Sequence, residues 1–299
     1  MYKKILIIGQ GSAGQNHFGA LKSINKKAQI ILTSSRNFIK TFKNKNYEKL
    51  RKLNPDLFVV CSPATTHFKF IKLIESHFIK KNILIEKPLF SKREKTLKNL
   101  KNNYYVGYNL RFHPILQFLK DYIKGKKFFF IRVICSSFLP KWRSKKNYSN
   151  TVSANKRFGG GVKLELSHEM DYLRWIFGKI KIINSFNKKI SNLKINVDDV
   201  LCLHGIIKNK IFLSLDLNFF SRIDIRKIFI DGNDFSLEAD LLSNKIKIIE
   251  KNKRKIIIKR FNLKQTYINE HLDILKKRKF ICTFKEALEN QKILEAIKS

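Results

Sequence analysis

Residues 4–8 form a β-rich apolar run that begins almost at the first residue and stops at Gly9-Gln10-Gly11-Ser12-Ala13-Gly14. No other feature constrains the fold of this chain as tightly. In a GxGxxG turn between a strand and a helix, the first glycine permits a tight turn. The second lets the backbone approach a pyrophosphate, and the third allows close helix–strand packing. The helix N-terminus then faces the negative charge. A helix-compatible stretch, 12–23, follows, and a second strand is predicted at 29–33. That context turns a weak motif into the prediction of a dinucleotide site built on Gly9, Gly11, Ser12 and Gly14.

Further strands are predicted at 57–61, 82–85 and 104–106, with helical patterns such as 68–78 between most of them. Alternation of strand and helix from the N-terminus argues for a parallel sheet wound on both faces. The texture changes near residue 107. Strand-like runs at 128–136, 179–184, 197–207, 210–217, 227–230 and 245–249, with another at 255–259, are separated by turn signals such as Asp231-Gly232-Asn233. Helices are predicted at 168–177, 267–277 and 284–297, and the polar stretch 142–158 reads as irregular. The expectation is an α/β chain. A doubly wound parallel sheet occupies 1–107. An α+β domain with an open, mostly antiparallel sheet occupies 108–299, and its closing helix is free to pack back on the first domain.

The 299 residues, 43% apolar and 12% aromatic, suffice for two domains with real cores and exclude a disordered chain. No run reaches the ~18 apolar residues of a membrane span, and the first apolar run is too short for a secretory signal. Cys61, Cys135, Cys202 and Cys282 lie far apart with no CxxC pair. That spacing indicates neither a disulfide framework nor a metal site, and a reducing cytoplasm is the expected setting. The formal net charge is +39. Clustered cations would suit nucleic acid, but the 49 Lys outnumber the 13 Arg and are scattered along the chain, together with many Ile, Asn and Phe. That pattern reads as compositional drift rather than a nucleic-acid surface, and the charge is expected to attract anionic cofactors and metabolites.

An NAD-specific fold usually ends its second strand in an acid that holds the ribose hydroxyls. Here the strand ends in Ser34-Ser35-Arg36. Small hydroxyls and a cation suit a 2′-phosphate, so NADP is expected over NAD. Ser62-Pro63-Ala64-Thr65-Thr66-His67 follows the third strand and Glu86-Lys87-Pro88 the fourth. Loops at the carboxyl ends of parallel strands border the ligand crevice. Pro88 biases Lys87 toward an extended conformation, from which its ammonium can take part in proton transfer. His113, His204 and His271 have no motif support and are read as structural.

Five motifs now stand in order. They are Gly9-x-Gly11-x-x-Gly14-x-x-His17, the Pro63/His67 loop, Glu86-Lys87-Pro88, Gly107-Tyr108-Asn109-Leu110-Arg111-Phe112, and Gly159-Gly160-Gly161 leading to Glu165-Leu166-Ser167-His168-Glu169-Met170-Asp171. The set resembles the glucose–fructose oxidoreductase / inositol dehydrogenase (Gfo/Idh/MocA) family over essentially the whole chain. The resemblance implies a Rossmann domain followed by a domain with an open sheet. It implies hydride transfer between a nicotinamide and a hydroxyl-bearing carbon, often on a sugar, cyclitol or sugar nucleotide. Lys87 matches the characteristic active-site residue, and His168 the His that commonly acts as general acid/base. Ser62, Pro63, His67 and Glu86 would join the cofactor site. Asn109 and Arg111 would contact substrate or cofactor, and Trp142 and Arg143 would cap the cofactor or bind an anionic substrate group. The segment from Leu139 through Gly161 is similar to members associated with surface-carbohydrate synthesis. Family members commonly pair into dimers or tetramers.

One place departs from the family pattern. Many members carry Asp four residues before the catalytic His, whereas here Glu165 takes that place and His168 follows after three. Ser167 is read as the N-cap of the next helix. His168 then lies in the first turn, where the dipole keeps its ring neutral and ready to accept a proton. Asp171 either orients His168 or holds substrate. Two rival readings stand beside the dehydrogenase. One is a redox-assisted glycosidase that retains its nicotinamide; the other is a non-catalytic dinucleotide sensor or nucleic-acid binder.

Overall fold

A computed structural model describes residues 2–43, 47–94, 97, 99–143, 147–276 and 278–298. From the N-terminus run β1 (Lys4–Ile8), α1 (Ser12–Ile24), β2 (Gln29–Thr33), α2 (Ser35–Lys43), α3 (Tyr47–Leu53), β3 (Leu57–Val60), α4 (His67–His77), β4 (Asn82–Glu86) and β5 (Asn103–Gly107). Next come α5 (Pro114–Tyr122), β6 (Phe128–Phe138), α6 (Val162–Glu165), α7 (Ser167–Phe177), β7 (Ile180–Lys188), β8 (Val200–Ile207), β9 (Ile211–Asn218), β10 (Phe220–Gly232), β11 (Phe235–Asp240), β12 (Lys245–Glu250) and β13 (Lys253–Ile258). The chain closes with α8 (Lys264–Leu275), β14 (Cys282–Thr283) and α9 (Phe284–Ala296). It forms two compact units, Met1–Phe112 with Asn262–Gln291, and His113–Phe261 with Lys292–Ser299.

The first unit holds a six-stranded sheet in the order β14-β5-β4-β3-β1-β2. β1 to β5 are parallel and only β14 runs against its neighbour. Both faces are covered, which is why its strands read as unbroken apolar runs. Leu6, Ile8, Phe58 and Val60 share one core with Phe70, Ile71 and Ile74 of α4. Ile5, Ile7 and Val59 share the other with Leu21 of α1 and Ile274 of α8. β1 has β2 on one side and β3 on the other, so the order reverses there and the ligand crevice of such a sheet opens beside the carboxyl end of β1.

The second unit holds an eight-stranded sheet in the order β13-β12-β11-β10-β6-β9-β8-β7. Only the β6–β9 pair is parallel. Residues alternate along each strand: Ile131, Val133, Leu213, Leu215, Ile228 and Ile230 are buried, while Phe130, Arg132, Phe212 and Phe229 point to the other face. On that face Phe130 stacks on Phe212 at 5.9 Å, and Arg132 lies over the Phe229 ring at 4.6 Å. The parallel and mostly antiparallel sheets are those expected. Sequence reading missed α5, the whole of β11, and the first half of β10, where Arg222, Ile223 and Asp224 are exposed and break the apolar signal. Much of 142–158 forms short 3₁₀ turns. Among the described residues no helix is long and apolar enough to cross a membrane.

Candidate active site

The glycine turn has the geometry that its residues predict. Gly9 has φ +123°, and a Cβ there would overlap the main-chain carbonyl of Cys61. A Cβ on Gly14 would overlap the Gly9 carbonyl oxygen, so α1 can lie this close to the turn only with glycine at that position. Gly11 differs: a Cβ there would meet nothing within 4 Å, so its openness is toward solvent and ligand. α1 starts after Gly11 with no side-chain cap and no acid in its first turn. Its unpaired N–H groups and dipole therefore favour an anion at that end. These residues fit the pyrophosphate of a dinucleotide.

At the end of β2, Ser34 Oγ accepts a hydrogen bond from the Asn37 N–H at 3.1 Å and caps α2. Arg36 is exposed in the first turn of α2, which contains no acid. After β3, Ser62 Oγ accepts from the Thr66 hydroxyl at 2.8 Å. His67 was expected in the cofactor site, but it is completely buried. Its Nε2 lies 2.8 Å from the Ser62 carbonyl, and its Nδ1 lies 3.0 and 3.1 Å from the carbonyls of Leu89 and Pro88. The ring thus ties the loop after β3 to the loop after β4. Burial pushes its pKa below the usual histidine value.

Glu86 ends β4, and its side chain is fully engaged. Oε1 lies 2.9 Å from His17 Nε2, and Oε2 accepts from the Lys87 main-chain N–H at 3.1 Å. Burial alone would raise this carboxyl. The hydrogen bond from His17, with the Lys87 charge and N–H, outweighs it and holds the pKa below the usual carboxylate value. His17 is completely buried, and its Nδ1 meets His271 Nε2 at 2.9 Å. Lys87 is half-buried next to this pair.

Asn109 and Arg111 were expected to touch substrate or cofactor. Both are buried inside the first unit. Asn109 donates to Thr266 Oγ1 at 2.8 Å. Arg111, 1% exposed, pairs through Nη1 with Glu286 at 3.1 Å. Burial of these groups against α8 and α9 ties them into the fold.

In the second unit the Gly159–Gly161 run is packed against backbone. A Cβ on Gly160 would overlap the carbonyls of Val152 and Ser153, and one on Gly161 (φ +107°) would overlap the Asp198 carboxylate. Asp198 Oδ2 accepts from the Lys163 N–H at 2.9 Å and so fixes the start of α6. Glu165 ends α6 and is half-buried. The expected cap role for Ser167 is not met: it is the first residue of α7, its Oγ caps nothing, and Leu166 occupies the cap position. His168 nevertheless lies in the first turn and is half-buried, and Asp171 one turn on is 1% exposed. Between them, Glu169 is completely buried; its Oε1 accepts a hydrogen bond from Arg226 Nε of β10 at 2.8 Å, and Arg226 Nη2 lies 2.7 Å from the same oxygen as the ion-pair partner. Sequence reading missed this pair, since 57 residues separate its members. Trp142 is partly exposed and donates from Nε1 to Ser137 Oγ at 2.8 Å. The Arg143 side chain lies outside the described residues. Among the described residues no cluster of three His, Cys, Asp or Glu side chains is placed to hold a metal.

A glycine turn at a sheet switch point with an open second glycine defines a dinucleotide-binding unit of the Rossmann type. Residues 3–103, the parallel-sheet part of the chain, match the oxidoreductase family with NAD-binding Rossmann fold, GFO_IDH_MocA. It is 26% identical over 238 residues to glucose-6-phosphate 3-dehydrogenase of Bacillus subtilis, covering 71% of this chain and 67% of that one. The fold is similar to UDP-N-acetylglucosamine 3-dehydrogenase GnnA from Acidithiobacillus ferrooxidans, with a TM-score of 0.76 at 15% identity over 98% of this chain and 96% of that one. It is also similar to the WlbA dehydrogenase from Bordetella pertussis, solved with NADH and UDP-GlcNAcA, with a TM-score of 0.74 at 15% identity over 99% and 95% of the two chains.

Proposed function

We propose that this chain is an NADP-preferring dehydrogenase that oxidises, or in reverse reduces, a hydroxyl-bearing carbon of a sugar or sugar nucleotide. The observation that carries the reading is the open Gly11 at the N-terminus of α1, on the same sheet edge as the Glu86–Lys87 pair that ends β4. When bound, the nicotinamide supplies or takes the hydride. The protein contributes orientation and proton handling. Lys87 hydrogen-bonds the substrate oxygen, and His168 takes the hydroxyl proton as the C–H bond breaks. Asp171 and Glu165 orient His168 or hold substrate hydroxyls. Trp142 and Arg143 serve the substrate or the cofactor's open side. Residues 1–107 bind cofactor, and 108–299 carry the substrate side and oligomer contacts.

The substrate class draws support from the names of its relatives, which act on a sugar phosphate and on a UDP-sugar. The preference for NADP draws support from Ser34, Ser35 and exposed Arg36 at the end of β2. The phenylalanine-rich outer face of the second sheet suits pairing into a dimer or tetramer. The four cysteines are free, which supports a reducing compartment. A role in surface-carbohydrate synthesis is part of this proposal and draws on the segment from Leu139 through Gly161. The test is fluorescence titration with NADPH and NADH, then absorbance at the reduced-nicotinamide band with sugar phosphates and UDP-sugars. NADPH should bind more tightly, and Arg36→Ala should lose mainly NADPH affinity, by ~1.5–3 kcal/mol for a charge-assisted contact. Equal affinity for the two cofactors in the parent would reject the preference. No turnover across the panel would reject the substrate class.

A further inference from the structure

His17 and His271 form a buried chain behind Glu86. His271 Nε2 meets His17 Nδ1 at 2.9 Å, and His17 Nε2 meets Glu86 Oε1 at 2.9 Å. Both rings are completely buried. The two rings lie edge to face, with centroids 5.0 Å apart, and Tyr267 packs edge-on to His17 at the same distance. Proton positions follow from chemistry. A carboxylate only accepts, so His17 Nε2 carries a proton. His271 is neutral, because burial and the nearby His17 push its pKa well down. Its single proton has two places to go. His271 Nδ1 has no hydrogen-bond partner among the described residues. A proton there would be an orphaned buried donor, which costs more than an orphaned lone pair. The proton therefore sits on Nε2 and is donated to His17 Nδ1, which leaves His17 neutral. The result runs one way: His271 to His17 to Glu86.

We infer that His271, acting through His17, is a positioning residue for the Glu86–Lys87 pair, and that this one-way chain holds the Glu86 carboxylate in the orientation that sets the Lys87 loop. The inference rests on the dehydrogenase reading for its consequence in turnover, and on burial and hydrogen-bond geometry for its proton positions. The groups that interact with Glu86 are His17 from α1, Lys87 beside it, Cys61 beyond β3, His67 from α4 and Tyr267 from α8; Glu270 of α8 lies next to Cys61 and Tyr267, and His271 next to His17. Of these, His17 is the one that gives Glu86 a side-chain N–H. Losing the His271 donor frees His17 to flip or change tautomer, and Glu86 then loses its anchor.

Two measurements test it. In protein labelled with ¹⁵N-histidine, long-range proton–nitrogen spectra of the NADPH complex and of the free protein should show both His17 and His271 as the Nε2–H tautomer. His271 as the Nδ1–H tautomer would overturn the chain, whatever the enzyme's substrate. In turnover, His271→Leu should lower kcat about fivefold, the size of one net hydrogen bond between neutral groups, with NADPH affinity unchanged. His271→Gln, which restores an N–H at the Nε2 position, should recover most of kcat. Equal kcat in the Leu and Gln variants would overturn the positioning role even if both fold. An inactive parent would reject the dehydrogenase reading, and the tautomers would still decide the chain.

Discussion

Arg226 donates a hydrogen bond from Nε to one oxygen of the Glu169 carboxylate at 2.8 Å and forms an ion pair with that oxygen through Nη2 at 2.7 Å, and Glu169 has no exposed surface. This pair fastens α7, the helix that carries His168 and Asp171, to β10. Removing one partner of such a pair leaves the other charge buried and unpaid, at a cost of about 3–5 kcal/mol. Glu169→Leu should therefore unfold at clearly lower urea concentration than the parent. The double variant Glu169→Leu with Arg226→Met should recover much of the loss, because it removes both charges. Equal instability of the single and double variants would mean that helix packing rather than the ion pair is the source.

Gly11 and Gly14 have different jobs, and alanine at each should separate them. A Cβ at Gly14 would overlap the Gly9 carbonyl, so Gly14→Ala must move α1 or the turn and should lower stability. A Cβ at Gly11 meets no protein atom within 4 Å, so Gly11→Ala should leave the melting temperature within a degree or two. It should nevertheless weaken NADPH binding, by crowding the close approach of pyrophosphate to backbone. Comparing thermal melts with fluorescence titrations reads both effects. Unchanged NADPH affinity in Gly11→Ala would show that the pyrophosphate does not pass there.

The chemistry that depends on neighbours in sequence was legible, and the chemistry that depends on distant elements was not. Gly9, Gly11 and Gly14 are close along the chain and their constraints act on one turn, so the motif could be read directly. The position of Lys87 just after β4 was legible because the apolar run of that strand ends at Glu86. His271 looked structural, since nothing within α8 points to its partner His17, 254 residues away. The tie between Arg111 and Glu286, 175 residues on, was invisible for the same reason. Ser167 had the right residue type for a cap, yet the tight turn at Leu166 starts the helix one residue earlier and buries its hydroxyl.

Three buried histidines predict how stability depends on pH. His67, His113 and His271 all have pKa values lowered chiefly by burial, that of His113 to about 4. Below pH ~6.5 the unfolded chain binds protons at these positions while the folded chain does not. Stability is therefore fully present above pH ~6.5 and falls as the pH drops, until each folded-state pKa is reached. Glu86, whose folded pKa is lowered, adds a further loss below pH ~4.5. Denaturant midpoints between pH 7.5 and 4.5 should decline steadily. In His113→Gln the decline from pH 6.5 to 4.5 should be shallower by ~2–3 kcal/mol. A slope identical to the parent's would show that His113 is protonated in the folded protein.

Lys87 and His168 should both be needed for turnover and dispensable for cofactor binding. Lys87 stands at the end of β4 beside Glu86, whose carboxylate is held ionised, and so keeps a counter-charge next to its ammonium. His168 stands in the first turn of α7, half-buried, where the positive end of the helix favours a neutral ring. A positioned proton-transfer group contributes about 10²–10⁴-fold. Lys87→Ala and His168→Ala should each lower kcat by an amount in that range, with NADPH dissociation constants within about twofold of the parent. The double variant should be little worse than either single one, because groups on one proton path do not add. The pH–rate profile of the His168 variant should lose its acidic limb, the one on which the base becomes protonated. If Lys87→Ala lowers kcat and the double variant multiplies the two losses, the groups act in separate steps. If His168→Ala leaves both kcat and the acidic limb intact, the base is another residue, and Asp171→Asn, one turn further along α7, becomes the variant that decides.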